Sequence, residues 1–234
     1  MKLALIGYGK MGQTLERLAE GRGHRVVSKL GRGWVAQDLV GADMALEFTS
    51  PEAVVDNLKR CLEASVPVVC GTTGWDAHFL ELSKAFESRP LGLFAASNFS
   101  PGVYALTQAV ALLSQISRNW EAQLSLAEVH HIHKRDRPSG TAIRLAEKIL
   151  ENQPRLGGWS LAEDSIPGTL PIEVERVDEV PGTHRFTIAT AQDVLRIEHR
   201  ALNREGFALG AILAAEWLHG KTGVYGMDDL YRNE

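Results

Sequence analysis

Along the first hundred residues, short apolar runs alternate with longer stretches whose apolar positions recur every three or four residues. Residues 2–6, 25–29, 45–48, 67–70 and 91–95 read as buried strands, and 11–21, 52–64 and 76–88 as the helices between them. Ser50 followed by Pro51 and Glu52 is a start signal for the second helix, because proline's fixed φ and missing N–H suit the first helical position. Strand and helix in strict alternation predict a parallel sheet with right-handed crossovers. After Asn98 the rhythm changes. Residues 102–117 form a long apolar helix candidate, 121–129 alternate like a strand, and 139–150 carry Ile143, Ala146, Ile149 and Leu150 at helical spacing. Glycines and prolines make 152–171 an irregular connection. Then 172–177, 184–189 and 194–199 read as three strands with no helix between them, which predicts an antiparallel or mixed sheet, and 207–218 read as a closing helix.

Composition narrows the class without changing this outline. The 234 residues suffice for one large domain or two modest ones, and 44% apolar with 23% charged residues is ordinary for a globular chain. A formal charge of −4 argues against a general nucleic-acid or membrane-surface binder. No apolar run is long enough to span a membrane, and the start of the chain lacks the charged-then-apolar layout of a signal peptide. Cys61 and Cys70 stand alone without a CxxC pair, which disfavours a disulfide framework and a structural zinc site and fits a reducing cytoplasm.

The first chemical signal is "LALIGYGKMG". Gly7, Gly9 and Gly12 have GxGxxG spacing, directly after a strand and before a helix. In that setting the first glycine allows a tight turn, the second lets a pyrophosphate approach the backbone, and the third permits close packing of helix on strand. The helix start then offers unpaired N–H groups to phosphate. A Rossmann-type dinucleotide-binding domain is therefore expected. An acidic residue at the end of the second strand would favour NAD, but "VVSKLGRG" has Lys29 and Arg32 and no carboxylate. Cations there would accept a 2′-phosphate, so NADPH is the expected cofactor with NADH also admitted; the alternative is that both are plain surface charges. "GTTGW" at 71–75 and "ASNFS" at 96–100 also follow strand ends, where open parallel sheets hold ligands.

The second signal is "EVHHIHKRDRPSGTA" at 128–142. His130, His131 and His133 have no carboxylate or thiolate company suited to zinc in the linear sequence, and Lys134 and Arg135 would repel a cation, so a metal is disfavoured. On an extended segment His130 and Lys134 point the same way and could face one pocket, a geometry that weakens if the strand ends early. Histidine exchanges protons near neutral pH, and lysine binds an anion or donates a proton. Ser139, Gly140 and Thr141 open a helix, and their hydroxyls and N–H groups could seat a carboxylate. Reduction of a small acidic compound fits this set. A solvated charged loop with a helix cap is the bland alternative for any single residue.

The 128–142 segment resembles the signature of the dihydrodipicolinate reductase family, E-x-H-H-x-x-K-x-D-x-P-S-G-T-A, at every fixed position. The glycine loop, "EFTSPEA", "GTTGW", "ASNFSPGV" and "HRALNREGFALGAILAAEWL" resemble further segments of the same family in order, so the likeness spans nearly the whole chain. Arg137 stands where a small residue is usual, and Glu47 where aspartate is more usual. The resemblance implies NAD(P)H-dependent reduction of 4-hydroxy-tetrahydrodipicolinate to tetrahydrodipicolinate, in lysine and diaminopimelate biosynthesis. It implies proton transfer by His130 and Lys134, and substrate binding by His131, Gly140 and Thr141, with Ser139 beside them. The cofactor would be lined by Gly7, Tyr8, Gly9, Lys10, Met11, Gly12, Gly71, Thr72, Thr73, Ala96, Ser97, Asn98, Phe99 and Arg204. Residues 1–99 and 204–234 would form the dinucleotide domain, and 100–203 an α+β domain for substrate binding and assembly, whose open mixed sheet builds a homotetramer. Closure of the two domains over both ligands is implied as well. Two other readings share the glycine loop: a different NAD(P)-dependent dehydrogenase of a small amino or keto acid, and a dinucleotide sensor without chemistry.

Overall fold

The structure, a computed structural model, describes residues 1–232. The chain begins with β1 (Lys2–Ile6), α1 (Lys10–Gly21), β2 (Arg25–Leu30), β3 (Met44–Glu47), α2 (Pro51–Ala64), β4 (Val68–Cys70), α3 (Asp76–Glu87) and β5 (Gly92–Ala95). It continues through α4 (Pro101–Ile116), β6 (Gln123–His130), α5 (Gly140–Leu150), β7 (Trp159–Leu161), β8 (Leu170–Arg176), β9 (Thr183–Ala189) and β10 (Val194–Arg200). It ends with α6 (Glu205–Leu218), β11 (Gly223–Tyr225) and α7 (Met227–Tyr231). Two compact units result: Met1–Ser100 together with the chain from Glu205 onward, and Pro101–Arg204.

In the first unit all six strands are parallel, in the order β11-β5-β4-β3-β1-β2. Alternation along β1 explains why both faces are covered. Leu3 and Leu5 point to one side and pack with Met44, Leu46, Val69 and Phe94 against Leu15 and Ala19 of α1 and the buried alanines of α6. Ala4 and Ile6 point to the other side, toward Val54, Leu58 and Cys61 of α2 and Leu82 and Phe86 of α3. Helix α6 is apolar over most of its circumference and buries Ala208, Ala211, Ile212, Ala214, Ala215 and Leu218. Each large aliphatic side chain buried this way contributes roughly 1.5–3 kcal/mol. Helix α2 starts as expected, with Ser50 at its cap and Pro51 at its first position.

The second unit is a five-stranded mixed sheet in the order β10-β9-β6-β8-β7. Strand β6 is central, parallel to β8 and antiparallel to β9. Leu124 and Leu126 of β6 join Ile172, Phe186 and Ile188 on one face, which packs on Leu106 and Val110 of α4 and on Ala142, Leu145, Ala146 and Ile149 of α5. Within 152–171, read from sequence as irregular, lies the strand β7, and β8 begins at Leu170. Strand β6 stops at His130, and a turn follows in which the Lys134 N–H bonds the His131 carbonyl at 3.1 Å. The extended alternation that aligned His130 with Lys134 therefore does not continue past His130.

Candidate active site

The glycine loop forms a cradle that side chains could not share. Gly7 has φ +94°, and a Cβ there would collide with the Phe48 carbonyl. One on Gly12 would collide with the Gly7 carbonyl, while Gly9 faces open space. Gly9 caps α1 without a side-chain acceptor, and the N–H groups of Lys10, Met11 and Gly12 have no protein partner among the described residues. Open N–H groups at a glycine-lined helix start suit a pyrophosphate, so these residues fit a dinucleotide.

Neighbouring strand ends are locked beside that cradle. Gly71 passes so close to the Phe48 ring that any side chain would strike it. Thr72 Oγ1 accepts the Thr49 N–H at 2.8 Å, and the Thr72 carbonyl accepts Trp75 Nε1 at 2.8 Å. Glu47, wholly buried at the end of β3, accepts from the Thr49 hydroxyl and from Asn57 Nδ2 at 3.0 Å, and Asn57 in turn accepts Trp34 Nε1 at 2.9 Å. The longer glutamate side chain is thus held by a residue of α2. Ala96 bonds the Cys70 carbonyl at 3.2 Å, Asn98 Oδ1 accepts the Ser100 N–H at 2.9 Å, and Phe99 packs on Phe48 and Phe94. Thr73 and Ser97 are exposed on the two loops.

At the end of β2 the structure alters the expectation. Lys29 is not free: its Nζ lies 2.5 Å from Glu16 Oε1 and 4.9 Å from the centre of the Tyr8 ring, and Tyr8 itself bonds Glu16. Lys29 first and Tyr8 second hold the Glu16 carboxyl below its usual range. A carboxylate of α1 therefore lies beside the end of β2, already paired with its lysine. Arg32 is exposed and makes no ion pair among the described residues. Arg204, also exposed, is the last residue of the second unit.

In the second unit, β6 carries Leu124, Leu126, Glu128 and His130 on its buried face. Glu128 is almost fully buried and is surrounded by donors. Both its oxygens lie 3.1 Å from the Ser139 N–H, and Arg176 of β8 donates to Oε1 at 3.1 Å. His130 Nδ1 is 3.6 Å and His184 Nε2 of β9 3.7 Å from Oε2. The two imidazoles meet edge to face, with ring centres 5.0 Å apart. His130 Nδ1 is buried without a hydrogen-bond partner, and the backbone of Gly182 flanks Nε2: a Cβ there would lie 3.1 Å away. Burial lowers the His130 pKa, Glu128 opposes that effect, and Lys134 and Arg176 add to it. His184 is pushed down to about 3, by burial first and then by its histidine neighbours and Lys134.

The remaining motif residues surround this group. Lys134 Nζ sits 2.8 Å from Asp136. Burial works to raise the Asp136 carboxyl, but Lys134 and the Gly140 N–H outweigh it and hold it low. Arg176 also donates to the Lys134 and Asp136 carbonyls, tying the loop to β8. Ser139 caps α5, its hydroxyl accepting the Ala142 N–H at 3.2 Å and lying 3.2 Å from His184 Nε2; Gly140 and Thr141 form the first turn. His131 is half-buried with its ring 6.1 Å from that of His133, and His133 is exposed beside Glu179. Arg137 makes a two-pronged pair with Glu163 at 2.7 and 3.1 Å, which gives the unusual arginine an outward partner. Glu128, His130 and His184 bring ligand atoms within 4.8 Å of one another, so a carboxylate does accompany His130. Arg176 and Lys134 supply the positive charge there. Sequence reading left Glu16, Glu128, Arg176 and His184 unassigned; only Glu128, two residues from His130 on the same strand face, had a local signal.

An all-parallel α/β unit with an open-N–H glycine cradle, in one chain with a buried histidine beside a helix start, defines a dinucleotide-dependent oxidoreductase. The description "Dihydrodipicolinate reductase, N-terminus" matches residues 1–99, and "Dihydrodipicolinate reductase, C-terminus" matches 102–231; the chain belongs to this family. A 4-hydroxy-tetrahydrodipicolinate reductase of Christiangramia forsetii is 40% identical, over 98% of this chain and 97% of the relative. One of Bdellovibrio bacteriovorus is 37% identical, over 98% and 96%. Among solved structures, a dipicolinate-bound dihydrodipicolinate reductase from Paenisporosarcina sp. TG-14 shares the fold with a TM-score of 0.79 at 21% identity, over 99% of each chain. No helix among the described residues is long and apolar enough to cross a membrane.

Proposed function

We propose that this chain reduces 4-hydroxy-tetrahydrodipicolinate to tetrahydrodipicolinate with loss of water, as an enzyme of lysine and diaminopimelate biosynthesis. The observation that carries the reading is His130: its Nδ1 is buried toward Glu128, and Lys134 and the start of α5 stand beside it. A bound reduced nicotinamide dinucleotide supplies the hydride. The first unit provides its cradle through Gly7, Gly9, Gly12 and the loops at 71–73 and 96–99. In the second unit His131, Gly140 and Thr141 seat a substrate carboxylate at the α5 start that Ser139 caps from within, and Lys134 neutralises it. Asp136 pairs with Lys134 and accepts the Gly140 N–H, so a dicarboxylate seated there exchanges one carboxylate for another. His130 rests as neutral imidazole at pH 7, because burial lowers its pKa. A dianion seated nearby favours the imidazolium, so substrate binding charges the acid that His130 Nε2 then delivers.

NADPH is the proposed preferred cofactor, with NADH accepted, and Arg32 rather than Lys29 is the 2′-phosphate contact, since Glu16 already compensates Lys29. A homotetramer is proposed because β10 is an edge strand exposing Val194 (56%) and Leu195 (41%), and pairing or covering such an edge removes an aggregation hazard. Two buried, unpaired thiols support a cytoplasmic setting.

The test couples a condensing synthase, pyruvate and aspartate semialdehyde to the purified chain and follows NADPH and NADH oxidation. Oxidation that needs the complete mixture is expected. His130→Ala should lower kcat at least 100-fold with dinucleotide affinity nearly unchanged, within the range for a lost general acid. Lys134→Ala should lower kcat and also raise KM for the dicarboxylate. Near-normal turnover by His130→Ala would remove that residue from the chemistry. Dinucleotide binding without turnover in the wild type would favour a sensor.

A further inference from the structure

We propose that Glu128 is a positioning residue that holds the proton donor and the carboxylate seat as one rigid assembly. The inference rests on the reading of His130 and the α5 start given above. Strand β6 turns the side chains of residues 124, 126, 128 and 130 inward, so a carboxylate comes to lie where leucines precede it. Such a group is costly to bury unless its lone pairs are filled. Here two donors fill them, the Ser139 N–H at the α5 start and Arg176 from β8, while the imidazoles of His130 and His184 close the pocket at 3.6 and 3.7 Å.

Each contact fixes a different part of the site. The Ser139 N–H, held by both oxygens of Glu128, cannot turn toward a ligand, so the following N–H groups of α5 keep their aim. Arg176, held by the same carboxylate, clamps the carbonyls of Lys134 and Asp136 at 3.3 and 2.6 Å and so sets the loop carrying the lysine. His130 keeps Nδ1 toward Oε2, which leaves Nε2 as the working nitrogen beside Gly182. Groups facing His130 are Glu128 on its own strand, Arg176 on β8, His184 on β9, and Lys134 and Asp136 on the loop; His199 on β10 faces His184 in turn. Glu128 is the nearest negative charge in that set, and Arg176 and Lys134 are its positive counterweights.

Glu128→Gln keeps the shape and removes the charge. With the full-length enzyme in the coupled assay, kcat should fall at least tenfold. The limb of the kcat–pH profile on which activity is lost with rising pH should move down by about one unit, because an imidazolium loses its nearest anion. Binding of NADPH, read from its fluorescence, should stay within twofold. Glu128→Asp should restore the limb while leaving KM for the dicarboxylate raised, since the shorter carboxylate cannot hold the Ser139 N–H and Arg176 together. Arg176→Gln should shift the limb the opposite way, to higher pH, and it supplies the decisive reading if Glu128→Gln does not fold. A wild-type limb and kcat in folded Glu128→Gln, or an unshifted limb in Arg176→Gln, would overturn the positioning role. An active His130→Ala would instead overturn the reading beneath it, so the two failures are separable.

Discussion

Replacing His184 by glutamine removes a buried imidazole that the fold keeps neutral. His184 lies on β9 with 5% of its surface exposed, opposite His199 of β10 and 5.0 Å from the His130 ring. Its pKa is pushed down from 6.5 to about 3, by burial first and then by the charges of His130, His199 and Lys134. The unfolded chain therefore binds a proton between pH 6.5 and 3 that the folded chain refuses. Stability from this group is complete above pH 6.5 and is lost as pH falls toward 3. At pH 5 the gap is about 1.5 units, worth about 2 kcal/mol or roughly a thirtyfold change in the opening equilibrium. Glutamine carries no charge at any pH and can still bond the Ser139 hydroxyl. The assay is native-state hydrogen exchange of β6 and β9 amides at pH 7.5 and 5, corrected for intrinsic exchange. Wild type should lose about 2 kcal/mol more than His184→Gln on acidification. His130 and His199 are lowered too and act with the same sign, which is why the difference between variants is the reading. Equal losses, or a His184 resonance titrating near 6.5, would refute the account.

The cofactor assignment has a sharp contrast inside one turn. Arg32→Glu should weaken NADPH tenfold or more, the worth of one charge-assisted hydrogen bond, and NADH less than threefold, whereas Lys29→Glu should leave the ratio of the two nearly constant; an unchanged ratio in Arg32→Glu would exclude the arginine. For assembly, sedimentation of the wild type should give four times the chain mass of 25.6 kDa, and Leu195→Lys should lower it. A wild-type mass of one chain would refute the tetramer.

Much of the fold was legible because its signals are periodic. In β1 every residue from Leu3 to Ile6 is buried, the mark of a strand covered on both faces, and its helices carry one apolar stripe each. What escaped was short. Trp159–Leu161 and Gly223–Tyr225 have three residues each, too few to show a period, and the latter is a strand only because β5 offers it an edge from far earlier in the chain. The 3-10 turn at Ala36–Leu39 and the helix Met227–Tyr231 are likewise a single turn or little more.

The site divides along the same line. Local features, the glycine cradle and the α5 cap, follow from spacing alone, since turn and helix start are set by neighbours in sequence. The relation of His130 to Lys134 was expected from strand alternation, yet β6 ends at His130 and a turn brings the lysine round instead. Alternation does hold one step earlier in the chain, between Glu128 and His130, and there it carries information that a search for proton donors passes over. A glutamate in register with Leu124, Leu126 and His130 must be buried if the leucines are, and a buried carboxylate demands donors. Its side-chain donor, Arg176, lies 48 residues away on a strand whose pairing with β6 no local pattern announces. The demand was therefore visible in the sequence, and only the identity of what meets it required the sheet.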